Sequence, residues 1–513
     1  MSYTLGVRTV LRTLTRNVAR SRSRGRRWPL RAGSWLGAWA AVLVVAVTWP
    51  FMVPGEAFAL RDMVVLPEMA LTHASLGFGD LPARNVPQDA VLSQLVFPVL
   101  AVRLIVVGAA CAAAWAGYRL GTSPFARAAA MTVAVWNPFV IERLLQGQWS
   151  LAVAAWLMPF IAVTGSVTAM WVASLTPTGA LAAASLSTRP RHLVATALFC
   201  APWVVAGWAA AGAGTASAAS AMAFAPRAEQ WVGTLGALVG LGGIWNAAAV
   251  PPSRSIGFAL FGVLLAVVLA CGWRAVPRRL LILAAVGFTV AVASWLGGIA
   301  AVVEWLPGAG LLRDGQKWVI LAVPAYVSAA GGLTPRLAAA ACAFAMLQVP
   351  DAPAALSPLT PSVVDVPRID ARGRDILFVD RPTLLTRSDG IPVVDPATKV
   401  VNVVESGELR IGGHVVDEAS TRWALAQSNP DDTALLASLG IGLVVHPDGT
   451  VVDTGAPARE PSVLGRILLL GWFAVPLVAW CGWVRRAGVE CSPRVAEHRP
   501  VVNSTLTLPA TRK

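Results

Sequence analysis

Arg20-Ser21-Arg22-Ser23-Arg24-Gly25-Arg26-Arg27, followed by the apolar run Trp35-Leu36-Gly37-Ala38-Trp39-Ala40-Ala41-Val42-Leu43-Val44-Val45-Ala46-Val47 and on to Val53, decides how the rest of the chain is read. Positive charge stays on the cytoplasmic side of a membrane. The run is long for the core of a cleaved signal, and Glu56-Ala57-Phe58-Ala59 is a poor cleavage site, so it reads as a retained signal-anchor helix. Later arginine clusters fall at every second gap between apolar spans: Arg189 and Arg191, then Arg274, Arg278 and Arg279, then Arg485 and Arg486. The expected protein is therefore a multi-pass protein of the cell membrane with both termini cytoplasmic.

Composition agrees. The chain is 56% hydrophobic and 13% charged, with a mean hydropathy of +0.64, whereas a soluble domain carries about 25% charged residues. The net charge of +14 lies mostly in the N-terminal segment and the short inside loops. It is read as orienting helices and touching anionic membrane lipid, not as a nucleic-acid footprint.

A membrane-crossing helix needs about 20 apolar residues, and the chain divides into about 12 helices on that scale. The expected spans are 35–53, 93–118, 126–142, 150–166, 168–176, 178–187, 192–211, 256–273, 280–298, 318–333, 336–349 and 463–484. The fifth and sixth are too short to cross alone. They flank Thr176-Pro177-Thr178-Gly179, whose Pro and Gly break helices. Two half-helices meeting there must be buried in protein or face a cavity.

The expected fold class is mainly α: a polytopic helical bundle with a small α/β extracytoplasmic domain before the last helix. Its parts are a basic cytoplasmic segment (1–34), a multi-helix membrane domain (35–350) with outside loops at 54–92 and 212–255, the α/β domain (351–462), a final helix (463–484) and a cytoplasmic tail (485–513) expected to be disordered. The domain alternates β-rich runs (Ile376–Val379, Val400–Val404, Ile441–Val445) with helical stretches (Ala419–Gln427, Asp431–Ser438). The six cysteines form no CxxC, and none lies in an expected outside segment, which argues against a disulfide framework or a thiolate metal site.

Three outside stretches carry candidate chemistry. In the first loop, Asp62 follows Arg61 a few residues past the first helix, inside an otherwise apolar run. A carboxylate there can act as a general base, unless Arg61 simply pairs with it. The loop also carries Glu68, His73, Asp80 and Asp89, which read as ordinary loop polarity, although its carboxylates could bind a divalent metal. In the segment Trp136–Trp149, expected as a short outside turn around 142–149, Pro138 should kink the third helix. Arg143 could hold a phosphate bidentately and the amides, Gln148 among them, could bind sugar hydroxyls, with Glu142 as a further substrate-binding candidate. The plainer reading is an interfacial turn in which Glu142 pairs with Arg143. Arg313, Asp314 and Lys317 stand at the outer end of a helix expected to start near Gly315, whose first amides favour an anion. Arg227 and Glu229, then Trp245 and Asn246 after a Gly-rich turn, suit sugar stacking or lipid headgroups equally. The chain has no GxxxxGK[ST] or HExxH motif and no His-rich set. The expected metal set is none, and no cofactor is called. Arg103 sits alone within the second span and needs a partner.

The segments Trp136–Arg143 with Gly147–Trp149, Leu175–Gly179, Gly242–Asn246 with Pro251-Pro252, and Leu312–Lys317 resemble uncharacterised polytopic membrane proteins of actinobacteria. The architecture of those proteins is similar to that of GT-C glycosyltransferases. The resemblance covers residues 35–485. It implies a sugar taken from a polyprenyl-phosphate donor at the outer face and passed to an envelope glycan or glycolipid acceptor, with Asp62 at the catalytic position of the first loop. Such enzymes often show paired acids there, and this chain has Arg61-Asp62 instead. The alternatives are a non-catalytic envelope-assembly scaffold or lipid-binding membrane protein, and, third, a lipid flippase or transporter, for which no internal repeat is found.

Overall fold

The computed structural model describes residues 34–83, 85–209, 217–305, 309–411 and 414–489. Most of the basic N-terminal segment and the last part of the tail lie outside the described residues. The chain is mainly helical. Among the described residues five helical stretches are long and apolar enough to cross a membrane, at Pro98–Leu120, Pro124–Leu145, Pro190–Ala209, Arg278–Trp295 and Pro335–Ala355. Of the other expected spans, 463–484 lies within one continuous helix, Val463–Val489, and the rest are shorter or divided. Residues 315–322 form a 3-10 helix followed by an α-helix at Val323–Gly331, where one continuous span was expected. The expected span 256–273 is helical only at Leu260–Ala270.

The Pro124–Leu145 stretch is the axis of the bundle and is buried throughout. Small residues allow this. Gly117 on the Pro98–Leu120 helix lies so close to Ala130 that an added Cβ would sit 2.6 Å from the Ala130 carbonyl carbon, the close backbone approach typical of helices packed without large side chains. The outer helices bury one face and expose apolar residues on the other, such as Leu100 and Leu104 or Ile282 and Val286. Helices apolar on both faces suit lipid better than water.

The axis breaks where Pro138 was expected to kink it. Helix Pro124–Val135 ends, and Asn137 caps a new helix at Pro138–Leu145, its side chain accepting from Val140 N–H at 3.1 Å. A cap of this kind contributes about 1 kcal/mol. Farther on, the two short helices fall at Val167–Ala173 and Pro177–Ser185. Their junction is enclosed by protein: Ser174 Oγ accepts from Trp472 Nε1 at 2.9 Å, and the Trp171 and Trp472 rings lie 4.7 Å apart. Arg103 finds its partners in the backbone. It donates to the carbonyls of Phe51 (3.1 Å), Val53 (2.5 Å) and Gly55 (3.1 Å), just past the first helix.

Residues 351–462 hold a four-stranded sheet in the order Val451–Asp453, Ile441–Val445, Asp375–Phe378, Asn402–Val403. The last three strands run parallel and the first is antiparallel to its neighbour. Helices Thr421–Ser428 and Thr433–Ser438 pack Ala426 and Leu436 against Leu377 and Val444. Asp432 caps the second helix, accepting from Leu435 N–H at 2.9 Å. The domain sits on the first loop. Lys399 reaches the Asp89 carboxylate at 2.6 Å, Arg422 grips Asp80 through two contacts of 2.8 and 2.9 Å, and Val394 N–H donates to the Arg61 carbonyl at 2.9 Å.

Candidate functional site

Asp62 lies at the turn of a small hairpin, between strands Phe58–Leu60 and Met63–Val65. The turn presses on the loop between helices Pro138–Leu145 and Trp149–Thr164. Gly147 makes this approach feasible: its φ is +83°, and a Cβ there would stand 2.3 Å from the Leu60 carbonyl oxygen. Asp62 N–H donates to the Gln146 carbonyl at 3.2 Å, and the side-chain amides of Gln146 and Gln148 both donate to Asp62 Oδ2 at 3.2 Å. Asn246 extends the set by donating to Gln146 Oε1 at 2.7 Å. Arg61 turns away, its guanidinium donating to the carbonyls of Leu145 and of Ala248 (2.6 Å). The half-exposed Asp62 carboxylate thus accepts from two neutral side-chain amides.

Gln148 leads inward. Its Oε1 accepts from Arg143 Nη1 at 2.6 Å, and Arg143 also grips Asp314 through two bonds of 2.5 and 3.0 Å and donates to Gln316 Oε1. Next to Arg143, Glu142 accepts from Ile244 N–H at 3.0 Å and lies 3.3 Å from Arg254 Nε. Arg254 in turn is clasped by Glu229, through Nε at 3.0 Å and through Nη2. Glu142, Arg143 and Arg254 are each 0% exposed. Charges so deeply buried are tolerated only when paired and hydrogen-bonded.

Three readings change. Of the stretch 142–149 only residues 146–148 lie between helices, because residues 138–145 are a helix buried on all sides. Arg143 does not present a free fork to a phosphate; its fork is filled by Asp314, Gln148 and Gln316. Nor do Glu142 and Arg143 form the turn's ion pair, since each bonds a different segment.

The anion at the start of the 315–322 helix is Asp314 itself. Burial alone would raise the Asp314 carboxyl, but Arg143 and Lys317 hold it below its ordinary value. Burial, with Arg143 and Arg313 adding, pushes the Lys317 ammonium down to about 8 against the pull of Asp314. Burial also works against the charged Arg254, yet Glu229 and Glu142 hold it above the usual guanidinium value.

The remaining predicted residues lie at the margin. Arg313 donates to Ser220 Oγ (2.9 Å) and Asp417 (3.0 Å) and covers the Phe224 ring at 4.4 Å. Trp245 meets the same ring edge-on at 4.5 Å. Arg227 N–H donates to the Gly243 carbonyl at 3.0 Å, shaping the Gly-rich turn, and its guanidinium reaches the Ala228 carbonyl.

Sequence reasoning missed Arg254, which joins Glu142 to Glu229, and underused Gln146 and Gln316. The available signal was one arginine, Arg254, two residues after Pro251-Pro252. Among the described residues no three His, Cys, Asp or Glu side chains gather as a metal site. No protein family, curated protein or solved structure matches this chain.

Proposed function

We propose that this protein is a membrane glycosyltransferase of GT-C-like architecture. It takes a sugar from a polyprenyl-phosphate donor and passes it to an envelope glycan or glycolipid at the outer face, with both termini in the cytoplasm. One observation carries the reading: Asp62, just past the first apolar helix, is the half-exposed end of an otherwise buried chain of charged and amide groups. In a single displacement, Asp62 would take the proton of an acceptor hydroxyl as that oxygen bonds to the anomeric carbon and the bond to the donor's phosphate oxygen breaks. Lys317, next in line with Asp314, is the cation nearest in role to the departing phosphate. Arg143 is a positioning residue in this reading, since its donors are engaged by protein.

That same saturation of Arg143 favours a second reading, a non-catalytic envelope scaffold. The two separate on one experiment. Asp62→Asn keeps the shape and the amide contacts but removes the base. In a strain lacking the gene, a transferase predicts loss of one envelope glycolipid or glycan at normal protein level. Full complementation by Asp62→Asn would leave the scaffold.

A further inference from the structure

Three helical hairpins turn at the end of the bundle away from Asp62. Pro98–Leu120 and Pro124–Val135 are joined by residues 121–123, Leu260–Ala270 and Arg278–Trp295 by 271–277, and Val323–Gly331 and Pro335–Leu347 by 332–334. Their open ends reach the buried layer around Glu142 and Arg254. Asn137 follows the first hairpin, Ser294 of the second donates to the Arg313 carbonyl at 3.5 Å, and Arg254 donates to the Gln348 carbonyl at 3.3 Å just past the third. The turns are locked to one another. Thr122 donates to the Gly331 carbonyl through its N–H at 3.0 Å and its hydroxyl at 3.1 Å. A Cβ on Gly331 would stand 2.6 Å from the Leu120 carbonyl oxygen, and one on Gly272 would stand 2.2 Å from the Ala329 carbonyl oxygen, so neither position admits a side chain.

This plate of turns carries six arginines, Arg119, Arg127, Arg274, Arg278, Arg279 and Arg336, while the three hairpins contain no Asp or Glu. Arg127 is half-buried and the other five are exposed. Asp62, Glu142, Glu229 and Asp314 stand at the opposite end. Fixed like charges repel, so the plate favours an anion of more than one charge. Aromatic rings say which kind. Arg127 covers Tyr118 at 4.7 Å, Arg119 covers Trp115 at 5.4 Å and Arg274 covers Trp273 at 5.8 Å. Trp115, Trp273 and Phe125 are exposed beside the charges. Cations on exposed indoles match the headgroup level of a bilayer, where Trp and Tyr meet the acyl boundary. A soluble acidic partner would leave those rings uncovered.

We infer that the plate binds an anionic phospholipid carrying two phosphodiester groups, each phosphate taken by guanidinium forks while the exposed rings meet the acyl chains. A single phosphate would neutralise only part of the cluster. The inference rests on the locked turns and their arginines and stands apart from the transferase reading.

The test is native mass spectrometry of the delipidated full-length protein in detergent, titrated with cardiolipin, phosphatidylglycerol and phosphatidylcholine of the same acyl chains. Cardiolipin is expected to bind roughly tenfold or more tightly than phosphatidylglycerol, and phosphatidylcholine more weakly still. Changing Arg274, Arg278 and Arg279 together to Gln should weaken cardiolipin binding roughly tenfold or more. Changing the same three to Lys keeps the charge that orients the helices but removes the forks, and should weaken it roughly threefold. Arg372→Gln with Arg410→Gln, on the exposed surface of the α/β domain, should leave it unchanged, as should Asp62→Asn. Cardiolipin binding no tighter than phosphatidylglycerol, undiminished binding in either triple variant, or an equal loss in the Arg372/Arg410 variant would each overturn the inference. So would tighter binding of a soluble polyglutamate peptide, which would give the plate to a protein partner.

Discussion

Arg143 Nη1 stands 2.5 Å from Asp314 Oδ2, joining residues 171 positions apart in the chain, and Arg143 Nη2 binds the other carboxylate oxygen at 3.0 Å. The forked contact is buried at the end of the bundle axis, where neither charge has an alternative partner in water. Removing one member of such a pair typically costs about 3–5 kcal/mol, because the other charge is left uncompensated. Arg143→Ala should therefore sharply lower the unfolding temperature in detergent. Arg143→Lys should lower it too, since an ammonium cannot reproduce the planar fork. An unfolding temperature within a degree or two of wild type for both variants would show that the pair does not hold the bundle.

Gly242 gives a sharper test of packing. A Cβ there would fall 2.3 Å from Arg254 Nη2 and 2.8 Å from Glu142 Oε1. Neither side chain can withdraw, because both are fully buried and tied to Glu229 and Ile244. Gly242→Ala is expected to destabilise by several kcal/mol, at or above the usual 1–3 kcal/mol of overpacking. Gly108→Ala on the Pro98–Leu120 helix, with nothing near its Cβ, should be neutral or stabilising by up to about 1 kcal/mol. Thermal unfolding of the two variants side by side decides it.

The buried Lys317 predicts a pH dependence with a definite sign. Its ammonium titrates at about 8 in the folded chain against 10.5 ordinarily, chiefly through burial. Between those values the unfolded chain binds the proton more tightly. The contribution of Lys317 to stability therefore rises with pH across this window, is complete above it, and is lost as pH falls through about 8. Lys317→Met should remove that rise, so the difference in unfolding temperature between variant and wild type should favour the variant at pH 7 and shrink by pH 10. A difference independent of pH would contradict it.

Gly147 connects stability to the candidate base. A side chain at φ +83° is strained, and its Cβ would strike the Leu60 carbonyl and the Met63 and Asp62 amides. Gly147→Ala should push the hairpin turn off Gln146 and Gln148. The expected result is loss of complementation as complete as that of Asp62→Asn, together with faster proteolysis of the first loop. Intact complementation would mean that the turn tolerates displacement.

How much of this was legible in the sequence varied with the range of the interaction. The break at Thr176-Pro177 and the kink at Asn137-Pro138 could be read directly, because Pro fixes the local backbone and Asn caps the helix that begins after it. The α/β domain was legible from its short β-rich runs and from the aspartates ahead of Thr433. The partner of Arg103 was not, since backbone carbonyls leave no mark in a sequence. The joining of Arg143 to Asp314 and of Glu142 to Arg254 was hidden for another reason. Glu142, Arg143 and Asp314 read as polar groups at helix ends open to a ligand, Arg254 was not singled out, and only the packing of distant segments turned those ends inward. Adjacent opposite charges, Glu142 and Arg143, suggested a local pair, yet successive helical residues point in different directions.

The stitching of the first loop onto the α/β domain has a consequence for biogenesis. Arg387 donates to the Ala59 carbonyl across 328 residues of chain, and Lys399 meets Asp89 across 310. The early hairpin therefore leaves the ribosome long before its supports exist. It must wait, exposed, until the late domain has been made, so a truncation that removes residues 375–404 should strand the opening hairpin unformed even though every helix ahead of the cut has already been synthesised.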